Sequence, residues 1–449
     1  MKYISTRGGD SANGFKEVVL KGLASDGGLF VPESYPKIDT SKLKKLPYHE
    51  LAFEVLKPFI DGDIPDADLK KILAEVYSPK IFRDSKIAPL KKIAEGQYLL
   101  ELFHGPTLAF KDFALQFLGR VFEYFGQEIN IIGATSGDTG SAAIAGCAGL
   151  KNVNIYILHP QGKVSEVQRR QMTTIISDNV HNIAVKGNFD DCQNIVKEIF
   201  EDAAFKKKYN LSAVNSINWA RVLAQVVYYF YASLQFEKPV SYSVPTGNFG
   251  DILAGWIAMQ MGLPINKLII ATNKNDILHR FIQSGVYKKA PVHHTLSPSM
   301  DIQISSNFER LLFEYHGRNA TDISSKLKEL KEKGEFKVED NILSEIKKVF
   351  DSAAADDALT SKTIADVFAS AKEIIDPHTA TGVAAAFAKG KSDVITLATA
   401  HPAKFPDAVF TAINEQSALP DFLSDLHTRQ EKMITAENSA DALKAIISK

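Results

Sequence analysis

The sequence of this 449-residue chain predicts an α/β protein built mostly on parallel sheets. Three segments repeat one order of features: a short apolar or β-branched run, a loop rich in Gly, Ser, Thr and Asn, and a run suited to a helix. They begin at Asn130, Ser241 and Ser392. Strand, loop and helix repeated along a long chain are typical of parallel sheets. Binding sites in such sheets lie beyond the carboxyl ends of the strands, where these loops gather.

Two further regions complete this prediction. Between the first two segments, residues 151–231 alternate apolar runs with helical runs, which predicts a smaller α/β domain. Residues 321–375 are charged and helix-prone, as in SSKLKELKEKGEF, and we interpret them as a solvated helical elaboration without visible chemistry.

Composition narrows the possible functions. Fifty-two Lys and Arg balance 53 Asp and Glu, so no basic field favours nucleic acid or an anionic membrane. The amino terminus lacks the features of a signal or transit peptide and no apolar run is long enough to span a bilayer, so a cytoplasmic location is expected. Cys147 and Cys192 have no ligand-spaced histidines, so we expect neither a metal site nor a disulfide.

Lys111 stands at the start of a predicted amphipathic helix in FHGPTLAFKDFALQFLG. Phe110 and Phe113 flank it, and desolvation beside apolar groups favours the neutral amine that attacks carbonyl groups. The alternative is a lysine that extends its ammonium group to water, which is the commoner fate of such residues. His104 in the same segment is interpreted as a structural histidine.

Two glycine-containing loops precede predicted helices. In residues 245–251, PTGNFGD, several backbone N–H groups are able to converge on one anion at the positive end of a helix. Residues 135–140, TSGDTG, repeat this arrangement and suit a carboxylate or a second phosphate. One loop would then hold a cofactor and the other a substrate. The alternative for both is an ordinary turn and helix cap.

Two other positions suit an anion or a ring nitrogen. In NSINWAR, Ser216 and Asn218 stand just before a helix that carries Arg221, whose fork of donors matches two phosphate oxygens. The alternative is a helix N-cap with a surface arginine. Thr399 ends the apolar run VITLAT, where a parallel strand presents its side chain to the mouth of a site, although nothing local distinguishes it from Thr396.

Taken together, these motifs resemble the threonine synthases, specifically the longer microbial and fungal branch of these fold-type II pyridoxal phosphate enzymes. The resemblance covers nearly the whole chain. It is carried in order by STRG, DGGLFVPESYP, FHGPTLAFKDF, TSGDTGSAAI, NSINWARVLAQ, PTGNFGDILAG, DPHTATG and LATAHPAKF. Each motif is short, but their joint order is highly specific.

The resemblance implies a role for individual residues. Lys111 matches the Schiff-base lysine, and Thr399 matches the hydroxyl that faces the pyridine nitrogen. The other residues it assigns to the cofactor are Asp138, Gly247, Asn248, Phe249, Gly250 and Asp251. The residues it assigns to the substrate are Ser136, Thr139, Gly140, Ser216, Asn218 and Arg221. Asp138 and Asp251 stand where a shorter branch of the family carries asparagine, which donates hydrogen bonds that an ionised acid does not.

The resemblance also implies a tryptophan synthase β-like fold with two parallel-sheet α/β domains. We expect an N-terminal domain over 1–95, a large domain that binds pyridoxal 5'-phosphate (PLP) over 96–125 and 225–449, and a smaller domain over 126–224. The implied reaction converts O-phospho-L-homoserine and water to L-threonine and phosphate, in a monomer or homodimer. Two alternatives stay open: another fold-type II enzyme such as a serine or threonine dehydratase, and a catalytically silent relative that binds phosphorylated metabolites.

Overall fold

The computed structural model describes residues 1–213, 215–389 and 393–448. Ser392, where the third repeated segment begins, lies outside these residues. Contacts divide the chain into two compact units: residues 1–104 with 216–417, here called the large unit, and residues 105–215 with 418–449, here called the small unit. Within the described residues, no helix combines the length and the apolar character needed to cross a membrane.

The strands of both units are short, and most have three to eight residues. In chain order they are β1 (Tyr3–Ser5), β2 (Ser11–Ala12), β3 (Phe30–Pro32), β4 (Leu90–Ala94), β5 (Gln97–Glu101), β6 (Ile129–Ala134), β7 (Val153–Pro160), β8 (Val180–Val185), β9 (Leu211–Ala213), β10 (Val240–Pro245), β11 (Ile265–Thr272), β12 (Val286–Lys288), β13 (Glu335–Lys337), β14 (Phe350–Ala354), β15 (Val394–Ala398) and β16 (Ile434–Ala436).

The helices alternate with these strands. They are α1 (Phe15–Lys21), α2 (Tyr48–Ile60), α3 (Asp66–Val76), α4 (Pro79–Phe82), α5 (Lys111–Phe125), α6 (Asp138–Cys147), α7 (Glu166–Thr173), α8 (Phe189–Glu201), α9 (Ala203–Lys208), α10 (Trp219–Ser233), α11 (Gly250–Gln260), α12 (Ile277–Ser284), α13 (Phe308–Tyr315), α14 (Ala320–Lys333), α15 (Asp340–Val349), α16 (Asp357–Ala371), α17 (Pro377–Lys389), α18 (Pro406–Ile413) and α19 (Ala440–Ile447).

The large unit is organised around a six-stranded sheet in the order β14-β11-β10-β15-β5-β4. Every pair in it is parallel except β4 with β5. The central strand β10, VSYSVP, is buried along its whole length, as expected for a strand covered on both faces. β1, β2 and β3 form a separate antiparallel sheet, and β12 pairs with β13.

The small unit contains a five-stranded sheet in the order β16-β8-β7-β6-β9, and all of its pairs are parallel. Its edge strand β16 comes from the carboxy-terminal segment. Ile183, Ile195, Ile199 and Leu443 belong to a core in which α8 and α19 pack on this sheet. Cys147 and Cys192 are both buried free thiols.

The parallel α/β architecture predicted from the sequence is confirmed. The region near 321–375 is largely helical, and it also supplies β14, which pairs with β11 at the sheet edge. That strand, FDSAA, has neither alternation nor β-branched residues, so sequence patterns do not reveal it. The predicted domain boundaries at 95, 125 and 224 stay predictions.

Candidate active site

In the small unit, Lys111 is the first residue of α5 and its side chain is only 11% exposed. Its Nζ lies 3.3 Å from Asp138 Oδ2 and 5.4 Å from the centre of the Phe110 ring. The apolar side of this environment was expected from the sequence. The carboxylate partner was not, because Asp138 is 27 residues away in the chain.

The turn that leads into α5 is held by Asp112. Its carboxylate accepts hydrogen bonds from the Thr107 backbone N–H at 2.9 Å and the Thr107 hydroxyl at 2.7 Å. Gly105 lies so close to Asp112 that a side chain there would meet its carboxylate at 2.4 Å. The start of α5, and with it Lys111, is therefore fixed by a buried acid that is not itself a predicted site residue.

The loop between β6 and α6, with the start of α6, holds the remaining predicted site residues of the small unit. The Thr135 hydroxyl oxygen accepts hydrogen bonds from the N–H groups of Gly137 and Gly140, both at 2.9 Å. A side chain at Gly140 would meet the Thr135 methyl group at 2.4 Å, so the close packing requires glycine. Ser136 is exposed and Thr139 is half-buried.

Asp138, the first residue of α6, has a partner on each oxygen. Gln168 Nε2 donates to its Oδ1 at 2.8 Å, while Oδ2 faces Lys111. The negative charge is favourable at a helix amino terminus, and it holds the amine of Lys111 in a fixed position. Sequence reasoning missed Gln168 because nothing in VSEVQRRQ distinguishes it from a surface residue.

In the large unit, the loop after β10 leads into α11. Phe249 precedes the helix in a left-handed conformation, with φ of 65°. Within the described residues, no side chain caps this helix end, so the first backbone N–H groups of α11 are directed at the loop. A side chain at Gly247 would come within 3.0 Å of the Ser299 carbonyl oxygen. These features fit the backbone cradle for phosphate predicted over Gly247, Asn248, Phe249 and Gly250.

A distant segment, residues 305–307, supports this loop from outside. The Ser305 hydroxyl donates to the Gly247 carbonyl at 2.5 Å, and the Ser306 hydroxyl donates to Asn248 Oδ1 at 3.1 Å. Asn307 Nδ2 donates to the carbonyls of Asn248 and Ser216, each at 3.1 Å. Sequence reasoning missed all three residues, since SSN before a helix is also an ordinary cap pattern.

Asp251 turns its carboxylate away from the loop and into the protein. Its Oδ1 accepts hydrogen bonds from the hydroxyl groups of Tyr228 and Tyr229, while Oδ2 has no partner among the described residues. Burial raises the pKa of Asp251 to about 7, against the lowering effect of the two tyrosines. Only its backbone N–H, in the first turn of α11, is placed to serve an anion in the loop.

Arg221 lies in the first turn of α10, where its side chain is almost completely buried at 3% exposure. Among the described residues, its Nε and Nη1 have no hydrogen-bond partner. Burial lowers the pKa of the guanidinium to about 10, still far above neutrality, so the group stays charged. The alternative of a surface arginine is excluded, and a buried unpaired cation requires an anion.

The two residues before Arg221 in the predicted motif have different surroundings. Asn218 caps α10, with Oδ1 accepting from the Ala220 N–H at 3.0 Å and Nδ2 donating to the Val19 carbonyl at 3.0 Å. Both the oxygen and the nitrogen of its amide therefore bind backbone groups of the protein, and its role towards substrate stays a prediction. Ser216 is half-buried, and its backbone carbonyl accepts a hydrogen bond from Asn307 Nδ2.

Thr399 directly follows the carboxyl end of β15, which pairs in parallel with β10. Its side chain is buried at 6% exposure. The carboxyl ends of neighbouring parallel strands lie at one edge of a sheet, so Thr399 and the loop after β10 occupy the same edge of the large sheet. Thr396, which local sequence does not separate from it, lies within the strand and pairs with Ser243 and Leu99.

The structure thus brings the predicted residues together in two groups. The small unit holds Lys111, Ser136, Asp138, Thr139 and Gly140. The large unit holds Ser216, Asn218, Arg221, Gly247, Asn248, Phe249, Gly250, Asp251 and Thr399.

Comparison with known proteins identifies the family. Residues 2–77 match the model for the threonine synthase N terminus, residues 86–327 that for pyridoxal-phosphate dependent enzymes, and residues 379–447 that for the threonine synthase C-terminal region. The chain is 54% identical to the threonine synthase of Pseudomonas aeruginosa, covering 100% of this chain and 98% of the relative. It is 46% identical to that of Saccharomyces cerevisiae, with coverage of 96% and 94%.

Among solved structures, PLP-bound threonine synthase from Brucella melitensis matches with a TM-score of 0.97 and 47% identity, covering 100% of this chain and 98% of that one. The fold-type II architecture and PLP as the cofactor are thereby confirmed. The ordered motifs, the parallel sheets and the full-length similarity agree, and the chain belongs to the threonine synthase family of pyridoxal-phosphate dependent enzymes.

Proposed function

We propose that this protein is a PLP-dependent lyase, a threonine synthase that converts O-phospho-L-homoserine and water to L-threonine and phosphate. Its membership of the threonine synthase family supports the reaction. The observation that favours a phosphorylated substrate is the burial of the Arg221 guanidinium with two nitrogens that have no partner among the described residues. A fully buried guanidinium with unsatisfied Nε and Nη1 is costly to keep, and a phosphate group supplies the charge and the acceptors that it lacks.

The cofactor phosphate is assigned to the loop over 247–250 and the amino terminus of α11. Backbone N–H groups are the donors in this assignment, which includes the N–H of Asp251 but not its carboxylate. The absence of a side-chain cap on α11 and the left-handed Phe249 support it, because both leave the first N–H groups directed at the loop.

Lys111 is assigned to covalent binding of the cofactor and then to proton transfer at Cα and Cβ of the substrate. PLP, when bound, supplies the electron sink for this chemistry. Phosphate leaves by breakage of the Cγ–O bond, one proton is lost from Cβ and one is added at Cγ. Water then adds its oxygen at Cβ, so that the product carries a hydroxyl on Cβ and a methyl group at Cγ. Asp138, 3.3 Å from Nζ, positions the lysine, while Ser136, Thr139 and Gly140 are assigned to the substrate.

Thr399 is assigned to the pyridine nitrogen of the cofactor. A neutral hydroxyl there leaves the ring nitrogen largely unprotonated, which limits stabilisation of the negative charge at Cα and so disfavours transamination. Its place at the carboxyl edge of β15, beside β10, supports this role. A monomeric or dimeric state and a cytoplasmic location stay predictions.

A dehydratase of the same fold would share Lys111 and the loop after β10, but it acts on substrates without phosphate and has no need of Arg221. A silent relative would bind phosphorylated metabolites without turnover. The deciding experiment mixes the protein with PLP and O-phospho-L-homoserine and follows phosphate and threonine together. We expect equal release of both, lost in Lys111→Ala and kept in Lys151→Ala, which changes an exposed lysine. Phosphate release without threonine would contradict the proposal.

The role of Arg221 is tested by Arg221→Gln. Loss of a charge-assisted pair is expected to raise KM for O-phospho-L-homoserine by about 10- to 100-fold while the affinity for PLP changes less than about threefold. Titration of PLP absorbance and steady-state kinetics measure the two effects. Equal losses would assign Arg221 to the fold or to the cofactor instead of the substrate.

A further inference from the structure

The large unit contains a cavity of about 250 Å³, and none of the residues assigned above to cofactor or substrate lines it. Its walls are mainly apolar and include Leu29, Phe308, Leu312, Leu330 and Phe336. Ile304 also lines it and is 50% exposed, so it lies where the cavity meets solvent. An apolar cavity of about 150 Å³ is enough for benzene, and drug-sized ligands occupy about 300 Å³ or more. This cavity therefore suits a molecule a little larger than benzene.

One charged pair stands in this apolar wall. Arg7 Nε and Nη2 bind the Glu309 carboxylate at 3.1 and 2.9 Å, and the Thr6 hydroxyl donates to the same carboxylate at 2.5 Å. Nη1 of Arg7 takes no part in this ion pair and lies beside Gly27, which also lines the cavity. Glu309 already accepts three hydrogen bonds, whereas Arg7 retains N–H donors on Nη1 for a second carboxylate.

The wall of the cavity is also the support of the predicted phosphate loop. Ser305 and Ser306 line the cavity, and their hydroxyl groups bind Gly247 and Asn248 on the other side. Phe308 lines the cavity as well, and its ring packs edge-on against that of Phe249, with 5.2 Å between centroids. A molecule that displaces Phe308 or the serines therefore acts directly on residues 247–249.

Residues 305–310 also contact NSINWAR, the predicted substrate motif. Asn307 contacts the carbonyl of Ser216, and Arg310 Nη2 donates to the carbonyl of Ile217 at 2.6 Å. Ile217 itself lines the cavity. Both anion-binding elements of the large unit are thus attached to residues 305–310, which form one wall of a space that a small molecule is able to fill.

We propose that this cavity is an effector site for a small monocarboxylate with a branched aliphatic or small aromatic side chain, such as an apolar amino acid. The carboxylate binds Arg7, the apolar part fills the space beside Phe308 and Leu330, and occupancy changes the affinity of the neighbouring loops for phosphate groups. Coupling of this kind needs a ligand that interacts differently with two arrangements of residues 305–310. The regulatory part rests on the proposed function of those loops, whereas the binding part does not.

The test titrates the PLP-loaded enzyme with L-leucine by calorimetry while the cofactor absorbance is recorded. We expect saturable binding with unchanged absorbance, weakened by about tenfold or more in Ile304→Trp, because the indole occupies the mouth of the cavity. Ile304 is half exposed, so this change leaves the core intact, and Leu359→Trp at an exposed site on α16 is the matched control. Binding that shifts the absorbance and persists in Ile304→Trp would place L-leucine at the cofactor and overturn the proposal.

Two analogues of L-leucine identify which of its groups the cavity binds. 4-Methylpentanoate keeps the carboxylate without the ammonium group and is expected to bind, whereas leucinol, which lacks the carboxylate, is expected to bind at least about tenfold more weakly. Equal binding of leucinol would remove Arg7 from the site.

Saturating L-leucine is further expected to change kcat/KM for O-phospho-L-homoserine by about fivefold or more in the wild type and not in Ile304→Trp. Binding without that change would overturn the coupling, while absence of any turnover with leucine binding intact would overturn only the proposed function.

Discussion

The loop after β6 and the loop after β10 have the same order of strand, small polar residues and helix, but they are held in opposite ways. The backbone of the first supports itself: Thr135 accepts hydrogen bonds from two glycine N–H groups of its own loop, and the outside contact from Gln168 is made to the Asp138 side chain. The second is held from outside by Ser305, Ser306 and Asn307, nearly 60 residues away. The backbone of the first loop therefore depends less on distant residues, whereas the second loop depends on the position of residues 305–307.

The aspartates in the two loops also differ, in the kind of group that each one contacts. Asp138 faces a cation and an amide donor, Lys111 and Gln168. Asp251 faces two tyrosines in a buried environment, and Oδ2 has no partner among the residues that the structure describes. The same residue type at the start of a helix thus positions an amine in one loop and accepts hydrogen bonds from two tyrosines in the other.

Removal of the outside support is expected to have the largest effect. Asn307→Ala leaves the Ser216 carbonyl and Arg310 Nη1 without their partner and removes one of two hydrogen bonds to the Asn248 carbonyl, which keeps the backbone N–H of residue 307. It should lower the free energy of unfolding by about 4 kcal/mol, mainly because the buried Arg310 guanidinium loses an acceptor. Urea unfolding followed by tryptophan fluorescence measures it, because Trp219 and Trp256 both lie in the large unit. The control is Asn13→Ala at an exposed site, and a loss under about 1 kcal/mol would mean that the loop does not depend on Asn307.

The contrast between the aspartates predicts a pH effect. Because the folded-state pKa of Asp251, about 7, lies above the ordinary value of 3.8, the folded protein binds more protons than the unfolded chain between these values. The resulting stabilisation is present below about pH 4 and is lost as pH rises through 7. From pH 4 to pH 7, stability of the wild type should therefore fall more than that of Asp251→Asn, by on the order of 3 kcal/mol.

Chemical unfolding at both pH values provides this measurement. Asp190→Asn, at an exposed position in the first turn of α8, should behave like the wild type. Parallel curves for the wild type and Asp251→Asn would mean that Asp251 is ionised in the folded protein throughout this range.

The self-supported loop is tested with Thr135→Val, which keeps the side-chain shape and removes the acceptor of two buried N–H groups. We expect a loss of about 2 kcal/mol, seen as faster hydrogen exchange at Gly137 and Gly140 in peptides from α6. Thr135→Ser keeps the hydroxyl and should retain most of the protection. Slower exchange in Thr135→Val than in Thr135→Ser would show that the methyl packing, not the hydroxyl, holds the loop.

The smallest expected effect comes from Ser305→Ala, which removes one hydrogen bond to the Gly247 carbonyl. The affinity for PLP should fall about fivefold, equivalent to about 1 kcal/mol, in an absorbance titration. Ser306→Ala removes a bond to a side chain instead of the loop backbone and should have a weaker effect. A stronger effect of Ser306→Ala would reverse the importance of the two serines.

Local pattern was sufficient for the repeated strand, loop and helix, for the parallel sheets and for the helix that begins at Lys111. The reason is that apolar runs, glycines and helical periodicity act over a few neighbouring residues. The strand β14 was not predicted because FDSAA has no such local signal, and its pairing with β11 is made by tertiary packing.

The candidate site shows the same difference between what the local sequence predicts and what tertiary contacts decide. The sequence by itself determined which residues are predicted to carry the chemistry, since Lys111, Arg221, Thr399 and the two loops stand in ordered motifs. Only the tertiary structure decided their partners: Asp138 for Lys111, two tyrosines for Asp251, and Asn307 for the loop after β10. Burial and pairing depend on residues distant in the chain, and they set the charge, the pKa and the rigidity on which the chemistry depends.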